Sequence, residues 1–244
     1  MNMQTDMPER MSADAPQALV PPFAHAPLRV VRTSDLGLRA RLVISSRPEG
    51  ADAEAIRSLR SQLQLRWFQK GSRMLAVTSP HARHGCTMLT ANLAIAFAQA
   101  GERTLLLDCN LRRPRQRLLF RLKPAPGLVD LLQGRAALKS ALTPIESLPN
   151  LSILGADSAP ANPQELLMHA SFTQLTESIE ALYDVVLIDT PPVLEHADAQ
   201  IVAARARGCL IVMRRGKTRV AEVERMRDTL QTDGTTVVGA TLCG

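Results

Sequence analysis

Short apolar runs alternate with longer segments of helical spacing from residue 74 to the end of the chain. Runs such as "VVLI" are apolar at every position, which is typical of strands that are buried on both faces. The predicted fold class is therefore α/β, with a mainly parallel central sheet flanked by helices. The predicted strands are Met74–Ser79, Arg103–Asp108, Leu151–Leu154, Asp184–Asp189, Cys209–Met213 and Thr236–Leu242.

The segments between these strands have the spacing of helices, and two of them carry end signals. Gly101 follows the first helical segment, a position where glycine commonly ends a helix. Asn162 and Pro163 place a capping residue before a proline in the first turn, where the missing N–H is not needed. The predicted helices lie near Thr87–Ala100, Pro163–Leu182, His196–Ala206 and Arg219–Thr232.

The chain divides into three predicted parts. Residues 1–38 are rich in proline, alanine and polar residues without sustained periodicity, so we expect a mostly disordered tail. Residues 39–73 form an N-terminal segment with one helical pattern, and residues 74–244 form the α/β domain. The apolar positions of the N-terminal helix are Ile56, Leu59, Leu63 and Trp67.

The composition, charge and cysteine content exclude several classes of protein. The chain is 45% hydrophobic, and its net charge of +6 comes from arginines interspersed with carboxylates, which indicates a solvated mixed surface. Only 3% of residues are aromatic, so no nucleic-acid partner that relies on base stacking is expected. Four scattered cysteines argue against a zinc site or disulfides and suit a reducing compartment. With no signal-peptide pattern and no apolar run near the roughly 20 residues of a membrane span, a cytoplasmic location is expected.

The loop after the first strand has part of the pattern of a phosphate-binding loop. Such loops have a glycine, four residues and then Gly-Lys-Ser/Thr, and the matching positions here are Pro80, Gly85, Cys86 and Thr87. Gly85 lets the backbone approach a phosphate, and the start of the following helix is an anion site. Thr87 can offer a hydroxyl to Mg²⁺. The ammonium group that neutralises the phosphates is missing, and an ordinary strand–turn–helix junction is the alternative interpretation.

Two neighbours of Cys86 suggest further hypotheses. Arg83 and His84 are nearby cations, although their bulk occupies a loop that is normally kept small. A thiol at a helix N-terminus beside His84 could also have a lowered pKa and be redox-reactive.

Two aspartates end predicted strands on the same edge of the sheet. Asp108 ends "LLLD" and is followed by Asn110, Arg112 and Arg113, and Asp189 ends "VVLID". Carboxylates at these positions can hold Mg²⁺ or orient a hydroxyl, and the arginines can clamp a phosphate or a partner's acid. The alternative for each aspartate is a structural role, which for Asp108 would be an ion pair with a neighbouring arginine.

Several segments, in this order and spacing, resemble the cytoplasmic kinase domain of bacterial tyrosine kinases, the partners of polysaccharide co-polymerases in capsule and exopolysaccharide export. The resemblance extends from about Ala53 to the C-terminus. The segments are "AEAIRSLRSQL", "TANLAIAFAQAGERTLLLDCNLRRP", "PGLVDLLQG", "LPNLSIL", "PANPQELL", "YDVVLIDTPPVLEHADA" and "VMRRGKTR".

The resemblance implies a deviant P-loop NTPase fold, of the deviant Walker type, that binds ATP with Mg²⁺ through three motifs. The implied nucleotide-binding residues are Arg83, Gly85, Cys86, Thr87, Asp108 and Arg112. The implied Mg²⁺ ligands are Thr87, Asp108 and Asp189, and the two aspartates are the implied catalytic residues. The family also uses a Glu-x-x-Arg-x-x-Arg helix to assemble rings, which implies a homo-oligomer held through Glu54, Arg57 and Arg60. Without the resemblance, these three residues would indicate an exposed helix face with an internal ion pair.

The departures from the family pattern bear on catalysis. Cys86 replaces the lysine, Asn110 replaces an aspartate that helps to activate tyrosine, and Cys243 replaces an asparagine that faces the adenine. The family autophosphorylates on a C-terminal tyrosine cluster, whereas the only tyrosine here, Tyr183, directly precedes a strand and is expected to belong to the core. Losing one charged contact in a transition state costs about 3 kcal/mol, or roughly 100-fold in rate.

We therefore expect a catalytically degenerate adaptor or regulator in exopolysaccharide synthesis, bound from the cytoplasm to a membrane polysaccharide co-polymerase, with weak binding of ATP and Mg²⁺ at most. One alternative is an active kinase or ATPase in which Arg83 or a neighbouring protomer replaces the lysine. A second alternative is a partitioning-type ATPase that binds DNA through "RRPRQR", which is disfavoured because its signature lysine would fall at His81.

Overall fold

The structure, a computed structural model, describes residues 42–244, and the predicted tail at residues 1–38 lies outside this range. One seven-stranded sheet runs through the molecule, with helices on both faces. Its strands are β1 (Met74–Thr78), β2 (Thr104–Asp108), β3 (Thr143–Ile145), β4 (Leu148–Leu154), β5 (Val185–Asp189), β6 (Gly208–Arg214) and β7 (Thr236–Cys243).

The strand order is β3-β4-β2-β5-β1-β6-β7, and every neighbouring pair is parallel except β3 with β4. The predicted α/β class and mainly parallel sheet are confirmed, as are the six predicted strands within one to three residues at each end. The sequence prediction missed β3, a three-residue edge strand that contains Pro144. Proline at an edge is compatible with pairing on one side only, so this strand has little sequence signal.

The helices are α1 (Val43–Ser46), α2 (Ala51–Arg66), α3 (Cys86–Gln99), α4 (Gln116–Leu119), α5 (Leu128–Leu132), α6 (Leu138–Ala141), α7 (Pro163–Met168), α8 (Ala170–Leu182), α9 (Asp198–Ala206) and α10 (Val220–Thr232). The sequence predicted one helix near Pro163–Leu182, and this prediction is wrong in one respect. The structure has two helices there, α7 and α8, which are divided at His169. This residue has an extended backbone (φ −68°, ψ 150°), and its ring nitrogen accepts a hydrogen bond from the N–H of Ser171. His169 thereby caps the second helix of the pair.

Both faces of the sheet are covered by hydrophobic cores, as the continuous apolar strands predict. Along β1, Met74 and Ala76 belong to the core beneath α5 to α10, whereas Leu75 and Val77 face the core beneath α2 and α3. Helix α3 is almost wholly enclosed, and its Phe97 is fully buried. The sheet is therefore a rigid support for the loops at its edges.

The N-terminal helices pack on the same core as α3. Leu42 and Ile44 at α1, and Ala53 and Leu63 of α2, are buried there. Trp67, just after α2, donates a hydrogen bond from Nε1 to the carbonyl of Met74 at 2.8 Å. The predicted helix in residues 39–73 is thus present, while the placement of a domain boundary at residue 74 stays a prediction.

Candidate nucleotide site

A cavity of about 620 Å³ opens where the carboxyl ends of β1, β2, β5, β6 and β7 meet. Parallel sheets commonly bind ligands at this edge, and the volume lies within the range of small-molecule sites. The loops after β1, β2 and β5 form most of the wall. Predicted site residues Arg83, Gly85, Cys86, Thr87 and Arg112 all line the cavity.

The loop between β1 and α3 is held in a conformation with two left-handed residues. Gly85, the residue before α3, has φ +94°, which glycine adopts at no steric cost. Arg83 has φ +64°, a conformation that costs about 1–2 kcal/mol for a residue with a Cβ. Two contacts hold it there: Arg214 Nη1 donates to the carbonyl of Arg83 at 2.7 Å, and the N–H of Ala82 donates to Glu195 Oε1 at 3.2 Å.

Cys86 occupies the lysine position, but its thiol points into the protein. Its Sγ donates to the carbonyl of Val77 at 3.0 Å and lies 3.5 Å from Asp189 Oδ1, and the residue is only 8% exposed. Burial, followed by the charge of Asp189, raises the pKa of the Cys86 thiol well above its usual value. The hypothesis of a low-pKa, redox-reactive thiol is therefore wrong, because the side chain is directed away from solvent and toward a carboxylate.

Asp108 is fully buried at the end of β2 and is satisfied by backbone groups. Its Oδ1 accepts from the N–H of Asn110 at 3.2 Å, and its Oδ2 accepts from the N–H groups of Arg115 at 3.0 Å and Gln116 at 2.9 Å. Burial, followed by the charge of Asp189, raises the pKa of Asp108 to about 7. The alternative of an ion pair with a neighbouring arginine is wrong, because Asp108 forms none within residues 42–244.

Asp189 is also fully buried, beside Asp108 in the register of β2 and β5. Its Oδ2 accepts a hydrogen bond from Gln116 Nε2 at 2.9 Å, and the hydroxyl of Thr87 bonds to the same carboxylate. Burial raises the pKa of Asp189 to about 6, although these hydrogen bonds lower it. The sequence prediction missed Gln116, whose Nε2 also donates to the carbonyl of Thr87 at 3.1 Å and joins the three motifs.

Arg112 forms an internal ion pair with a buried acid. Its Nε and Nη2 donate to Asp198 at 2.7 and 3.1 Å, and Asp198 is fully buried at the start of α9. The arginine still lines the cavity, but much of its charge is offset. Asp198 therefore competes with a phosphate for the guanidinium of Arg112. The sequence analysis did not find this partner, because it lies 86 residues further along the chain.

Two histidines next to the cavity have contrasting environments. His81 Nδ1 and Nε2 each lie 3.1 Å from a carboxylate oxygen, of Glu195 and Glu222 respectively. His84 is 6% exposed, and its Nδ1 lies 3.1 Å from the carbonyl of Ala82. Its Nε2 is buried and has no hydrogen-bond partner in the described part of the chain. The sequence prediction named His84 only as a nearby cation.

Of the three predicted Mg²⁺ ligands, only Thr87 lines the cavity. Neither Asp108 nor Asp189 lines the cavity, and their oxygens already accept hydrogen bonds from backbone N–H groups and from Gln116. Mg²⁺ takes near-octahedral oxygen ligands, usually several waters and one or two carboxylates together with phosphates of a bound substrate. Within residues 42–244, no group of three His, Cys, Asp or Glu side chains is arranged to hold a metal ion.

The predicted assembly residues lie on α2, away from the cavity. Glu54 and Arg57 form an ion pair at 2.8 Å, with side chains 69% and 38% exposed, and Arg57 Nη1 also donates to the carbonyl of Pro48. Arg60 Nε is buried without a partner in the described chain. The internal ion pair expected from spacing alone is present, and assembly through these residues stays a prediction.

Tyr183 lies just before β5 and packs against the core, as expected. Burial raises the pKa of its hydroxyl. Among residues 42–244, none of the helices is long and apolar enough to span a bilayer.

Two sequence relatives are similar over most of this chain. The putative tyrosine-protein kinase CapB of Staphylococcus aureus is 30% identical over 201 residues, which cover 82% of this chain and 88% of CapB. The putative tyrosine-protein kinase EpsB of Ralstonia solanacearum is 35% identical over 184 residues, which cover 75% of this chain and 24% of EpsB. The chain therefore spans about a quarter of the length of EpsB. No protein-family model matches the sequence.

Solved structures of bacterial tyrosine kinase domains are also similar to this chain. The kinase domain of the Escherichia coli tyrosine kinase ETK has a TM-score of 0.79 and 30% identity, covering 83% of this chain and 79% of that domain. The septum site-determining protein MinD of Pyrococcus horikoshii, solved with Mg-ADP, has a TM-score of 0.58 and 22% identity over 70% of each chain, which concerns the fold alone. The predicted P-loop NTPase-like fold is confirmed.

Proposed function

This chain belongs to the family of bacterial tyrosine-protein kinases, and on that premise we propose that it is a catalytically degenerate member that acts as an adaptor or regulator. In this proposal it binds, from the cytoplasmic side, to a membrane polysaccharide co-polymerase that takes part in exopolysaccharide synthesis and export. Its own assembly into oligomers through α2 is part of the proposal.

The observation that carries the proposal is the orientation of Cys86. Phosphoryl transfer depends on charges that neutralise the phosphates in the transition state. At the position where the family pattern has a lysine, this chain has a thiol that donates to the carbonyl of Val77, in a residue that is only 8% exposed. Losing this contact costs about 3 kcal/mol, or roughly 100-fold in rate.

The environment of the aspartates supports the same conclusion. Asn110 stands where the family has a second aspartate, and its Oδ1 accepts a hydrogen bond from the N–H of Arg113 at 3.2 Å. A neutral amide is also a weak base for a tyrosine hydroxyl. Asp189 is bonded to Gln116 and does not line the cavity. The absence of both the lysine and the second carboxylate lowers the rate of phosphate transfer further than either absence alone. The free energies of two such losses rarely add.

The adaptor part of the proposal rests on what the chain retains. The seven-stranded α/β sheet is present, and α2 carries Glu54, Arg57 and Arg60 in family spacing. The Glu54–Arg57 pair is exposed, so its charges are available to a neighbouring protomer at little cost. Arg60 Nε has no partner in the described chain, which an acidic group on another protomer would supply.

Transfer of radiolabelled γ-phosphate from ATP, with Mg²⁺ present, tests the catalytic half of the proposal. We expect no labelling of the chain itself, or of a tyrosine-containing peptide, above that seen with a Thr87→Ala, Asp189→Asn variant. Labelling of wild type that both substitutions abolish would contradict the proposal.

Co-purification with the cytoplasmic segments of a co-polymerase from the same genome tests the adaptor half. We expect a complex that forms without nucleotide. Light scattering should show an oligomer that Arg57→Ala, Arg60→Ala dissociates and that Arg225→Ala, an arginine on the exposed face of α10, leaves intact. A strictly monomeric wild-type chain at all concentrations would refute assembly through α2.

An active enzyme is the second candidate, and one observation favours it. Arg83 lines the cavity, and its guanidinium has no ion pair or hydrogen bond within residues 42–244. In an active enzyme this group would replace the missing lysine. Phosphate transfer by wild type that Arg83→Ala abolishes and Arg83→Lys preserves would establish this candidate.

A further inference from the structure

The loop between β6 and α10 carries a run of positive charge. Residues 214–221 contain four cations and no carboxylate. Arg214 is turned inward, where its Nη1 donates to the carbonyl of Arg83 at 2.7 Å. The other three residues are exposed and form no ion pair within residues 42–244. These three residues, which we call the basic loop, are Arg215, Lys217 and Arg219.

Backbone hydrogen bonds hold the basic loop in place. The N–H of Arg214 donates to Thr218 Oγ1 at 2.9 Å, and the N–H of Lys217 donates to the carbonyl of Arg214 at 3.1 Å. The N–H of Arg215 donates to the carbonyl of Cys243 at 2.8 Å, which ties the loop to the end of β7. A loop that is already ordered loses little conformational entropy when it binds a partner, so its three charges can act together.

Two exposed apolar side chains flank the basic loop. Val220 directly follows Arg219 as the first residue of α10 and is 76% exposed. Leu242 of β7 is 53% exposed and directly precedes Cys243, whose carbonyl accepts from the loop. Cations beside exposed apolar side chains suit a membrane interface, where the cations meet anionic headgroups and the apolar groups enter the acyl boundary.

The basic loop is separate from the cavity at the ends of β1, β2 and β5, because none of its three residues lines that cavity. Its charge is also not cancelled by the nearest carboxylate in the chain. Glu222 is already bonded to the N–H of Arg219 at 2.9 Å and lies 3.1 Å from His81 Nε2. The three cations are therefore available to an extended anionic surface outside the cavity.

The composition around the loop favours lipid over nucleic acid as that surface. Residues 208–244 contain no aromatic residue, so this part of the chain has no platform on which bases could stack. The exposed side chain of Val220 would gain nothing from contact with nucleic-acid phosphates, whereas it can be buried in a lipid interface.

The strength of such a contact follows from the number of cations. Each Lys or Arg near an anionic leaflet strengthens binding roughly fivefold, which corresponds to about 1 kcal/mol. Three cations should therefore give a roughly 100-fold preference for an anionic over a neutral bilayer. Stable anchoring to a membrane takes two signals, so this surface suits a chain that is also attached in a second way.

We propose that the basic loop, together with Val220 and Leu242, is a contact surface for the anionic headgroups of a membrane. The inference rests on the proposed function and deepens it, because a chain bound to a membrane co-polymerase would hold this loop near the leaflet. The loop lies at the carboxyl edge of the sheet, so lipid contact would turn that edge, with its cavity, toward the membrane.

Co-sedimentation of the full chain with lipid vesicles, without any co-polymerase, tests the inference. We expect binding to vesicles of equal parts phosphatidylglycerol and phosphatidylcholine, and roughly 100-fold weaker binding to phosphatidylcholine alone. Raising the ionic strength from about 0.1 M to about 1 M shortens the range of the charges from about 10 Å to about 3 Å and should release the chain. Absent binding to the anionic vesicles, equal binding to both, or binding that survives high salt would each overturn the inference.

Two charge-matched variants assign the contact to the basic loop. The test variant should lose the preference for anionic vesicles. The control variant removes three exposed cations near the amino ends of β1 and β6, at the opposite edge of the sheet, and should change the affinity less than twofold. Equal losses in both variants would refute the assignment, because net charge alone would then explain the binding. The test variant is Arg215→Gln, Lys217→Gln, Arg219→Gln, and the control variant is Arg66→Gln, Lys70→Gln, Arg207→Gln.

Val220→Ser removes the apolar contact but no charge. It should weaken binding to anionic vesicles severalfold and leave the dependence on salt unchanged, whereas an unchanged affinity would overturn the insertion of this side chain. The fluorescence of Trp67 during urea unfolding shows that each variant is folded.

Short duplex DNA is the competing polyanion. It should bind the chain more weakly than the anionic vesicles do, and tighter binding that the test variant loses would assign the loop to nucleic acid and overturn the choice of lipid. The vesicle results are separate from the proposed function, which fails on phosphate transfer or on co-polymerase binding whether or not the chain binds lipid.

Discussion

The buried pair Asp108 and Asp189 should make the protein less stable as the pH rises through neutrality. The two residues are register partners on β2 and β5, and both are fully buried. Burial raises the pKa of Asp108 to about 7 and that of Asp189 to about 6. The folded state therefore keeps protons that the unfolded chain releases above about pH 4. The stabilisation is complete below that pH and is lost as the pH rises through 6 and 7.

The size of the effect follows from the two pKa values. One pKa unit corresponds to about 1.4 kcal/mol, so between pH 5 and pH 8 the raised pKa of Asp189 lowers the free energy of unfolding by roughly 1 kcal/mol. Asp108, with the higher pKa, lowers the free energy of unfolding by roughly 3 kcal/mol over the same interval. In Asp189→Asn the first contribution disappears, and the pKa of Asp108 falls because the neighbouring charge is absent. The loss of stability between pH 5 and pH 8 should therefore be smaller in the variant, by at least roughly 1 kcal/mol.

Urea unfolding at pH 5, 6, 7 and 8, followed by the fluorescence of Trp67, measures these differences. Asparagine retains an oxygen that accepts from Gln116, so the variant keeps the local shape. Asp184→Asn is a matched control, because pairing with Arg103 lowers the pKa of Asp184 to about 2 and its contribution is constant above pH 5. Parallel stability curves for wild type and Asp189→Asn from pH 5 to pH 8 would refute the reasoning.

Three further predictions concern single contacts. Arg112→Ala leaves Asp198 buried without its partner and should lower the free energy of unfolding in urea by about 3 kcal/mol. The second substitution Asp198→Asn should restore part of this free energy, and an unchanged stability of Arg112→Ala would contradict the ion pair. Gly208→Ala places a Cβ on the ring of Trp67, so the emission spectrum should change and the free energy of unfolding should fall by about 1–3 kcal/mol, whereas an unchanged spectrum would contradict the close approach. A thiol reagent should modify Cys243 first, with the three buried cysteines reacting only after denaturation, and rapid labelling of a second thiol would contradict their burial.

Local patterns were sufficient to predict the main elements of the fold. Apolar runs such as 185–188 are typical of strands covered on both faces, and six of the seven strands were predicted from short apolar runs between helical segments. The Asp residues that end these runs were predicted to share one edge because parallel strands end together. The break at His169 escaped prediction, since an extended residue inside a periodic pattern leaves the spacing nearly unchanged.

The candidate site was predicted in position but not in chemistry. Residue types indicated a phosphate loop without its lysine, yet the direction of the Cys86 thiol depends on the space beneath α3. Gln116 and Asp198 were not found, because polar residues are usually exposed and their bonds to Asp189 and Arg112 cross 73 and 86 residues of sequence.

The sequence by itself determined the strands, the helices, the family resemblance and the loss of the lysine, because each depends on residue type and short-range spacing. Only the tertiary structure decided which charges remain available at the cavity. Packing buries Asp108 and Asp189 beneath the wall and pairs Arg112 with Asp198, while Arg83, Arg113 and Arg115 remain without partners in the described chain. Charge availability depends on burial and on long-range partners, and neither is encoded in local pattern.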